Sequence, residues 1–511
     1  MKNRIKQYLL AASMCVGLTA CSDFFEPIPG VQFGLDETFA SKQRTEEYLN
    51  NVYSYVREVT DAIHPNTYGG IFTEASFDGA NRWNKTYAEW TNGSFNSASA
   101  QASEYFSKYY QAIAKASTFI QNVDKCTEAA ASTRGKWKSE ARALRAYYYF
   151  ELLRLYGPIP LIGEDPIPLD ASLEELIKER NSVDECVNFI ATELQSAIDS
   201  GDLLQRAGKA NLGRMDVATC MALKAKLYLY WASPLFNGNT DQASVKNKDG
   251  KQLFPQTEDY SKWAQARDAY ERFMTFATGQ GYKLTEVYTN GKLDPYASCR
   301  AAGEFFTTTW EAVDELIFVK LRDLYDYTYW VCPKFTDFQD TDVTGGGGYY
   351  TTQETVDLFF TKDGLTIEED TGYDKFEGIP GANNFTSGRY YDPNNPSRLY
   401  FDADKSKVLK QWKDREPRFY VNITYSGSIW LNEGKYNEEM RTDFTNGANG
   451  TCGKSKASGD CPDSGYLIRR GAKASNNNGS KHFSPVLRLA DMYLGYAEAL
   501  CMCSDLDNAL T

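Results

Sequence analysis

Three clusters of aromatic side chains with interleaved polar groups are the residues of this 511-residue chain best placed to do chemistry. Trp83 and Trp90 lie in the Asn-rich stretch 81–96, beside Asn81, Arg82 and Asn84. Tyr325, Tyr327, Tyr329 and Trp330 form one run, with Asp323 and Asp326 between them. Tyr349 and Tyr350 follow four consecutive glycines, Gly345–Gly348. Glycine backbone freedom would let such a loop close over a ligand. Indole and phenol rings offer flat apolar faces for the C–H surfaces of a sugar ring, and their polar tips and neighbours serve its hydroxyls. Trp83, Trp90, Tyr327, Tyr329, Trp330, Tyr349 and Tyr350 are therefore the candidate ligand contacts. Against this stands the abundance of tyrosine: with 35 in the chain, any single one is more commonly a packing residue.

Bond-breaking chemistry has little to draw on. Only two histidines occur, His64 and His482, so neither a histidine metal site nor a Ser-His-Asp triad is supported. The 68 acidic residues make carboxylate pairs easy to propose, and so carry no information about glycoside hydrolysis. Asp363-Gly364 with Glu368, Glu369 and Asp370 lacks the spacing of a calcium loop. No catalytic residue, metal or cofactor is assigned. Arg142, Arg145, Arg488 and Glu498 read as structural charges. Asp414, Arg415, Glu416 and Arg418 read as a solvated mixed-charge turn.

The first residues settle location. Lys2, Arg4 and Lys6 precede the apolar run 8–18, and Leu18-Thr19-Ala20-Cys21 follows. That is a secretory signal ending in a lipobox, with Cys21 as the lipidated residue. No later stretch approaches the ~18–20 apolar residues of a membrane-spanning helix. Without residues 1–20 the net charge falls from −13 to about −16, and no basic stripe is visible. Nucleic acid is excluded as a partner, because phosphate binding needs clustered Lys and Arg. Nine cysteines remain after Cys21 and most read as isolated core residues, with Cys452 and Cys461 open as a pair.

Helical periodicity supplies the scaffold that must hold the aromatic clusters. It predicts helices over 36–56, 104–123, 136–156, 183–198, 215–232, 260–276 and 486–502. Tyr156-Gly157-Pro158 stops one of them, and Ser484-Pro485 reads as the start of the last. Small residues beside aromatics, such as Ala143 and Ala146 next to Tyr147–Phe150, suit closely packed helix pairs of tetratricopeptide type. A nonrepeating helical core is the plainer alternative. Residues 281–480 are rich in Gly, Asn, Asp, Thr and Tyr, with strand-like runs at 316–321 and 419–424.

Four stretches together carry a family resemblance. They are Glu140–Phe150 continuing to Tyr156-Gly157-Pro158-Ile159-Pro160-Leu161; Gly213-Arg214 with Ala222–Lys226 and Ser233-Pro234; Tyr350–Phe359 with Asp414–Phe419; and Leu487–Leu500. In order and spacing the chain resembles the SusD/RagB family of outer-membrane nutrient-binding lipoproteins.

The resemblance implies a mainly α fold, a tetratricopeptide-like helical repeat scaffold with a long loop-rich insertion forming the ligand face. The expected layout is a signal peptide at 1–20, a tether at 21–34, a helical region at 35–280, a loop-rich ligand-binding region at 281–485 and a closing helix at 486–511. The family continues beyond that helix, so the chain reads as truncated there, with Leu494 and Leu500 exposed. The implied role is a lipid-anchored, cell-surface, non-enzymatic protein that captures oligosaccharides, or in some members peptides. Its implied partner is a SusC-like TonB-dependent outer-membrane transporter. A glycan-active enzyme is the reading from another class.

Overall fold

A computed structural model describes residues 34–57, 78–82, 88–303 (apart from 164–166 and 169–170), 314–321, 329–335, 345–430 (apart from 377 and 379), 441–444, 452, 460–472 and 483–510. Cys21 and the export segment, Trp83, Tyr327 and both histidines lie outside the described residues.

The main helices are α1 (Leu35–Ala40), α2 (Lys42–Tyr53), α3 (Ala100–Asn122), α4 (Ala131–Tyr156), α5 (Val183–Asp199), α6 (Val217–Ala232), α7 (Ser261–Gly279), α8 (Gln353–Asp357), α9 (Pro417–Asn422) and α10 (Leu489–Met502). The strands used below are β1 (Ala80–Asn81), β2 (Leu316–Leu321), β3 (Tyr349–Tyr350), β4 (Ile423–Tyr425), β5 (Tyr466–Ile468) and β6 (Phe483–Arg488). The fold is mainly α, with successive helices packed as tetratricopeptide-like pairs: α3 on α4, α4 on α5, α5 on α6, α6 on α7 and α7 on α10.

Helix α4 is the axis of this stack. It is buried on nearly every side from Trp137 to Leu153, which explains why its sequence shows no polar face. Its aromatic run fills the gaps left by small neighbours. Tyr148 stacks on Tyr109 of α3 at 6.0 Å between ring centroids, and its hydroxyl donates to the Val52 carbonyl. Tyr149 donates to the Ile162 carbonyl at 2.7 Å. The helix ends as its sequence indicates: Gly157 takes φ +67° and its N–H bonds the Leu153 carbonyl at 2.9 Å, before Pro158. Helix α5 begins with a reciprocal capping box between Ser182 and Glu185, and Asp216 caps α6 through the Thr219 N–H at 2.7 Å. Arg142 and Arg145 have structural roles, both meeting Glu193 of α5. Arg488 faces Glu315 at 3.7 Å, and Glu498 is exposed on α10.

Four local expectations need correction. The helix expected over 36–56 is two helices, because Ser41 is extended (φ −96°, ψ 131°). Ser484-Pro485 does not open the last helix. Residues 483–488 form β6 instead, pairing antiparallel with β2, and α10 starts at Leu489. The run at 419–424 is mostly helix, since Pro417 fixes the first turn of α9 and only Ile423 onward is strand. Of the two leucines expected to be exposed on α10, Leu494 is exposed and Leu500 is buried. No disulfide joins the described cysteines, Cys452 and Cys461 included.

Two further cores lie beside the helical one. One gathers Leu316, Val319, Val331, Phe335, Tyr349 and Trp430. The other gathers Tyr296, Tyr400, Trp412, Phe419, Tyr420, Tyr425 and Tyr466. A four-stranded sheet in the order β1-β3-β5-β4 gives Tyr349 to the first core and Ile423, Tyr425 and Tyr466 to the second.

The second aromatic core is pinned by a buried ion network. Arg398 bonds both oxygens of Asp294 at 2.9 Å and one of Asp392 at 2.5 Å, and its guanidinium lies over the Tyr296 ring. Burial pushes the Asp294 carboxyl up, but Arg398, the Ala297 N–H and the Thr289 hydroxyl together hold it at about 2. A carboxyl whose folded pKa lies below its unfolded value stabilises fully above about pH 4, and that contribution is lost as pH falls towards 2. Melting temperature is therefore expected to drop between pH 5 and pH 2.5. In Arg398→Met the drop should be shallower, and equal slopes in the two proteins would rule the network out as its source.

Candidate functional site

The structure brings three predicted segments together, the first of them distant in sequence from the other two. Asn81 of β1 pairs with Tyr349 of β3, and the Arg82 N–H bonds the Gly348 carbonyl at 2.9 Å. The four glycines lie along residues 329–333, where Gly346 and Gly348 donate to the carbonyls of Tyr329 and Trp330 at 2.8 and 2.9 Å. Tyr329 and Trp330 are half-buried and meet edge to face at 5.2 Å.

The glycines themselves do not form a mobile flap. All four are buried, and a Cβ on Gly345 would sit 2.3 Å from the Cys332 carbonyl oxygen and 2.4 Å from that of Tyr329. Glycine is needed here for close backbone approach, which the sequence alone does not separate from flexibility. Tyr349 is fully buried and presents no face to a ligand, whereas Tyr350 is partly exposed. Trp90, on the short helix Ala88–Asn92, stacks on Phe95 at 3.9 Å and packs against the helical core.

The same sheet leads from this patch to a cavity of about 600 Å³, within the ~300–1,000 Å³ usual for small-ligand sites. Tyr350 pairs with Leu467, and the preceding residue, Tyr466, lines the cavity. Its aromatic and apolar walls include Tyr373, Phe376, Trp412, Phe444 and Tyr466. Its polar walls include Gln353, Asp357, Lys375, Gln411, Ser426 and Ser464. None of the five described sequence candidates, Trp90, Tyr329, Trp330, Tyr349 and Tyr350, lines it.

A hydrogen-bond chain orders the rings. The Trp412 indole N–H donates to the Tyr466 hydroxyl at 3.1 Å, and that hydroxyl donates to Gln353 Oε1 at 2.7 Å. Gln353 Nε2 in turn donates to Asp357 at 2.8 Å, one helical turn along α8. Burial pushes the Tyr466 hydroxyl up to about 12, so it stays a neutral donor. The Asp357 carboxyl is also raised, again by burial. Lys375 is engaged by Glu368 at 3.1 Å. The lining thus carries one carboxyl and one ammonium group that is already paired, with neutral amides and hydroxyls between rings. Such a lining suits an uncharged, hydroxyl-rich ligand with flat apolar faces. No group of three or more His, Cys, Asp or Glu placed to hold a metal occurs among the described residues.

Sequence reasoning missed these residues for a local reason. Trp412, Tyr373 and Phe376 stand singly among charged and polar neighbours, and only chain folding collects them. Arg415 was also misread. It is buried rather than solvated, with its side chain bonded to Tyr373 and to the carbonyls of Val356 and Phe359.

A family profile described as "Starch-binding associating with outer membrane" matches residues 32–229, and one described as "SusD family" matches residues 315–511. A SusD-like protein of Bacteroides ovatus is 27% identical over 175 residues, which span 33% of this chain and only 30% of that protein. Among solved structures, BT4246 superimposes with a TM-score of 0.70 at 23% identity, covering 92% of this chain and 80% of its own. A SusD-like carbohydrate binding protein from Bacteroides fragilis gives a TM-score of 0.61 at 18% identity, covering 91% and 75%. These structural likenesses establish the fold.

Proposed function

The chain belongs to the SusD/RagB family, and from that premise we propose that it is an outer-membrane oligosaccharide-binding protein whose ligand sits in the aromatic cavity. The observation that carries this reading is the lining itself. Tyr373, Phe376, Trp412, Phe444 and Tyr466 surround a space edged by neutral amides and hydroxyls. The profile over 32–229, whose description names starch binding and the outer membrane, supports both the ligand class and the location. In this reading Cys21 carries the lipid anchor at the cell surface. The protein binds without turnover and passes its ligand to a SusC-like TonB-dependent transporter. Tyr350, on the strand next to that of Tyr466, with Tyr329 and Trp330 beside the glycines, extends the ligand face along a longer glycan.

Affinity electrophoresis of a soluble chain starting at Ser22 tests the proposal, against amylopectin, laminarin, xylan and polygalacturonate. Calorimetry with a tryptic peptide mixture runs beside it. Retardation by a neutral glycan, with no reducing ends released on incubation, is the expected result. Heat from peptides without glycan retardation would transfer the cavity to a peptide ligand. Release of sugar ends would make the protein an enzyme.

A further inference from the structure

The cavity is assembled from segments distant in the chain, and one buried residue ties three of them together, two through its side chain and the third through tyrosine hydroxyls. Arg415 is 3% exposed. Its Nη2 donates to the Val356 and Phe359 carbonyls, at 2.5 and 2.7 Å, at the C-terminal end of α8, the helix that presents Gln353 and Asp357. Its Nη1 donates to the Tyr373 hydroxyl at 2.8 Å, and the same hydroxyl donates to the backbone carbonyl of Gln411. Its backbone N–H bonds the Tyr420 hydroxyl at 3.3 Å, which donates to the Trp412 carbonyl at 3.0 Å. The guanidinium carbon lies over the rings of Tyr373 and Phe419, 5.4 and 5.2 Å from their centroids.

These contacts have a chemical peculiarity. A buried guanidinium normally finds a carboxylate, because an unpaired charge is costly away from water. Among the described residues, every side-chain hydrogen bond of Arg415 ends on a neutral oxygen, and its Nε has no hydrogen-bond partner. A core that needed only packing would place an apolar residue there at lower cost. What the guanidinium supplies instead is a planar fork of donors that reaches separate acceptors at fixed angles.

We infer that Arg415 is the positioning residue of the ligand cavity, locking α8, the Tyr373 ring and the Gln411–Trp412 turn into one geometry. It touches no ligand and acts through the groups it holds. The inference rests on the reading that this cavity is the ligand site, but its first test needs no ligand.

Amide hydrogen exchange read by mass spectrometry follows peptides covering 353–359, 373–376 and 409–412, with α4 as the internal reference. In Arg415→Met, exchange in all three segments is expected to rise at least tenfold while α4 stays as in the wild type. Arg415→Lys separates positioning from filling space. An ammonium group can still serve the Val356 and Phe359 carbonyls but cannot also reach Tyr373 in the same plane. Protection is therefore expected to survive at 353–359 and to be lost at 373–376. Tyr373→Phe, which keeps the ring, should loosen 373–376 and 409–412 and leave 353–359 unchanged. With maltoheptaose as the probe, Arg415→Met should bind at least tenfold more weakly at an unchanged melting temperature. Unchanged exchange in the three segments of Arg415→Met would overturn the inference. So would a rise that spreads equally to α4, if the Lys and Phe variants also fail to separate the segments. If the wild type binds no sugar while the exchange pattern is as expected, the functional proposal falls and the positioning role stands.

Discussion

Glu193→Ala is expected to destabilise the protein by about 3–5 kcal/mol, the range for removing one partner of a buried ion pair. Arg145 is fully buried at the centre of α4, and Glu193 is 4% exposed. The carboxylate accepts from Arg145 Nε at 2.8 Å and from Arg142 Nη1 at 3.2 Å. With Glu193 gone, Arg145 keeps, among the described residues, only the Ser117 hydroxyl, at 3.1 Å, and no buried carboxylate there pairs its charge. Water cannot compensate at a site packed between three helices. Glu193→Gln retains an acceptor and should lose less. Urea denaturation followed by far-UV circular dichroism reads both variants. A loss below about 1 kcal/mol in Glu193→Ala would mean that the pair is solvated and that the α3–α4–α5 core is looser than described.

The second large effect concerns binding. Phe376 and Phe444 line the cavity and are only partly buried, so their removal should spare the fold. Each ring covered by a ligand contributes on the order of 1.5 kcal/mol of apolar burial, a factor of about ten in affinity. Phe376→Ala and Phe444→Ala are each expected to weaken glycan binding about tenfold, and the double variant about a hundredfold if the two act independently. Calorimetry with the retarding glycan gives the numbers, and a control melt confirms the fold. Wild-type affinity in the double variant would move the ligand out of this cavity.

Much of the scaffold was legible because its signals are local. The Tyr156-Gly157-Pro158 stop needs only a glycine that accepts positive φ and a proline that cannot continue a helix. The aromatic and alanine mixture of α4 belongs to a helix buried on nearly every side. Ser484-Pro485 misled for the same reason: an N-cap pattern is local, but pairing with β2 is not, and the long-range ladder won. Tyr349 and the glycines were legible as a special site but not in their role, since close approach and flexibility call for the same residue. The cavity was hidden because its rings come one at a time, from Tyr373 to Tyr466, between unremarkable neighbours. Arg415 was hidden because a guanidinium held by backbone carbonyls leaves no complementary acid in the sequence to announce it.

The central claim is that an oligosaccharide occupies the cavity edged by Trp412, Tyr466 and Phe376. The direct measurement is photo-crosslinking with an oligosaccharide of the retarding glycan carrying a diazirine at its reducing end, mapped by peptide mass spectrometry. Label is expected in peptides spanning 373–376, 409–412 and 464–466, competed away by unlabelled sugar. Competable label confined to other parts of the surface, with those peptides unmodified, would contradict it.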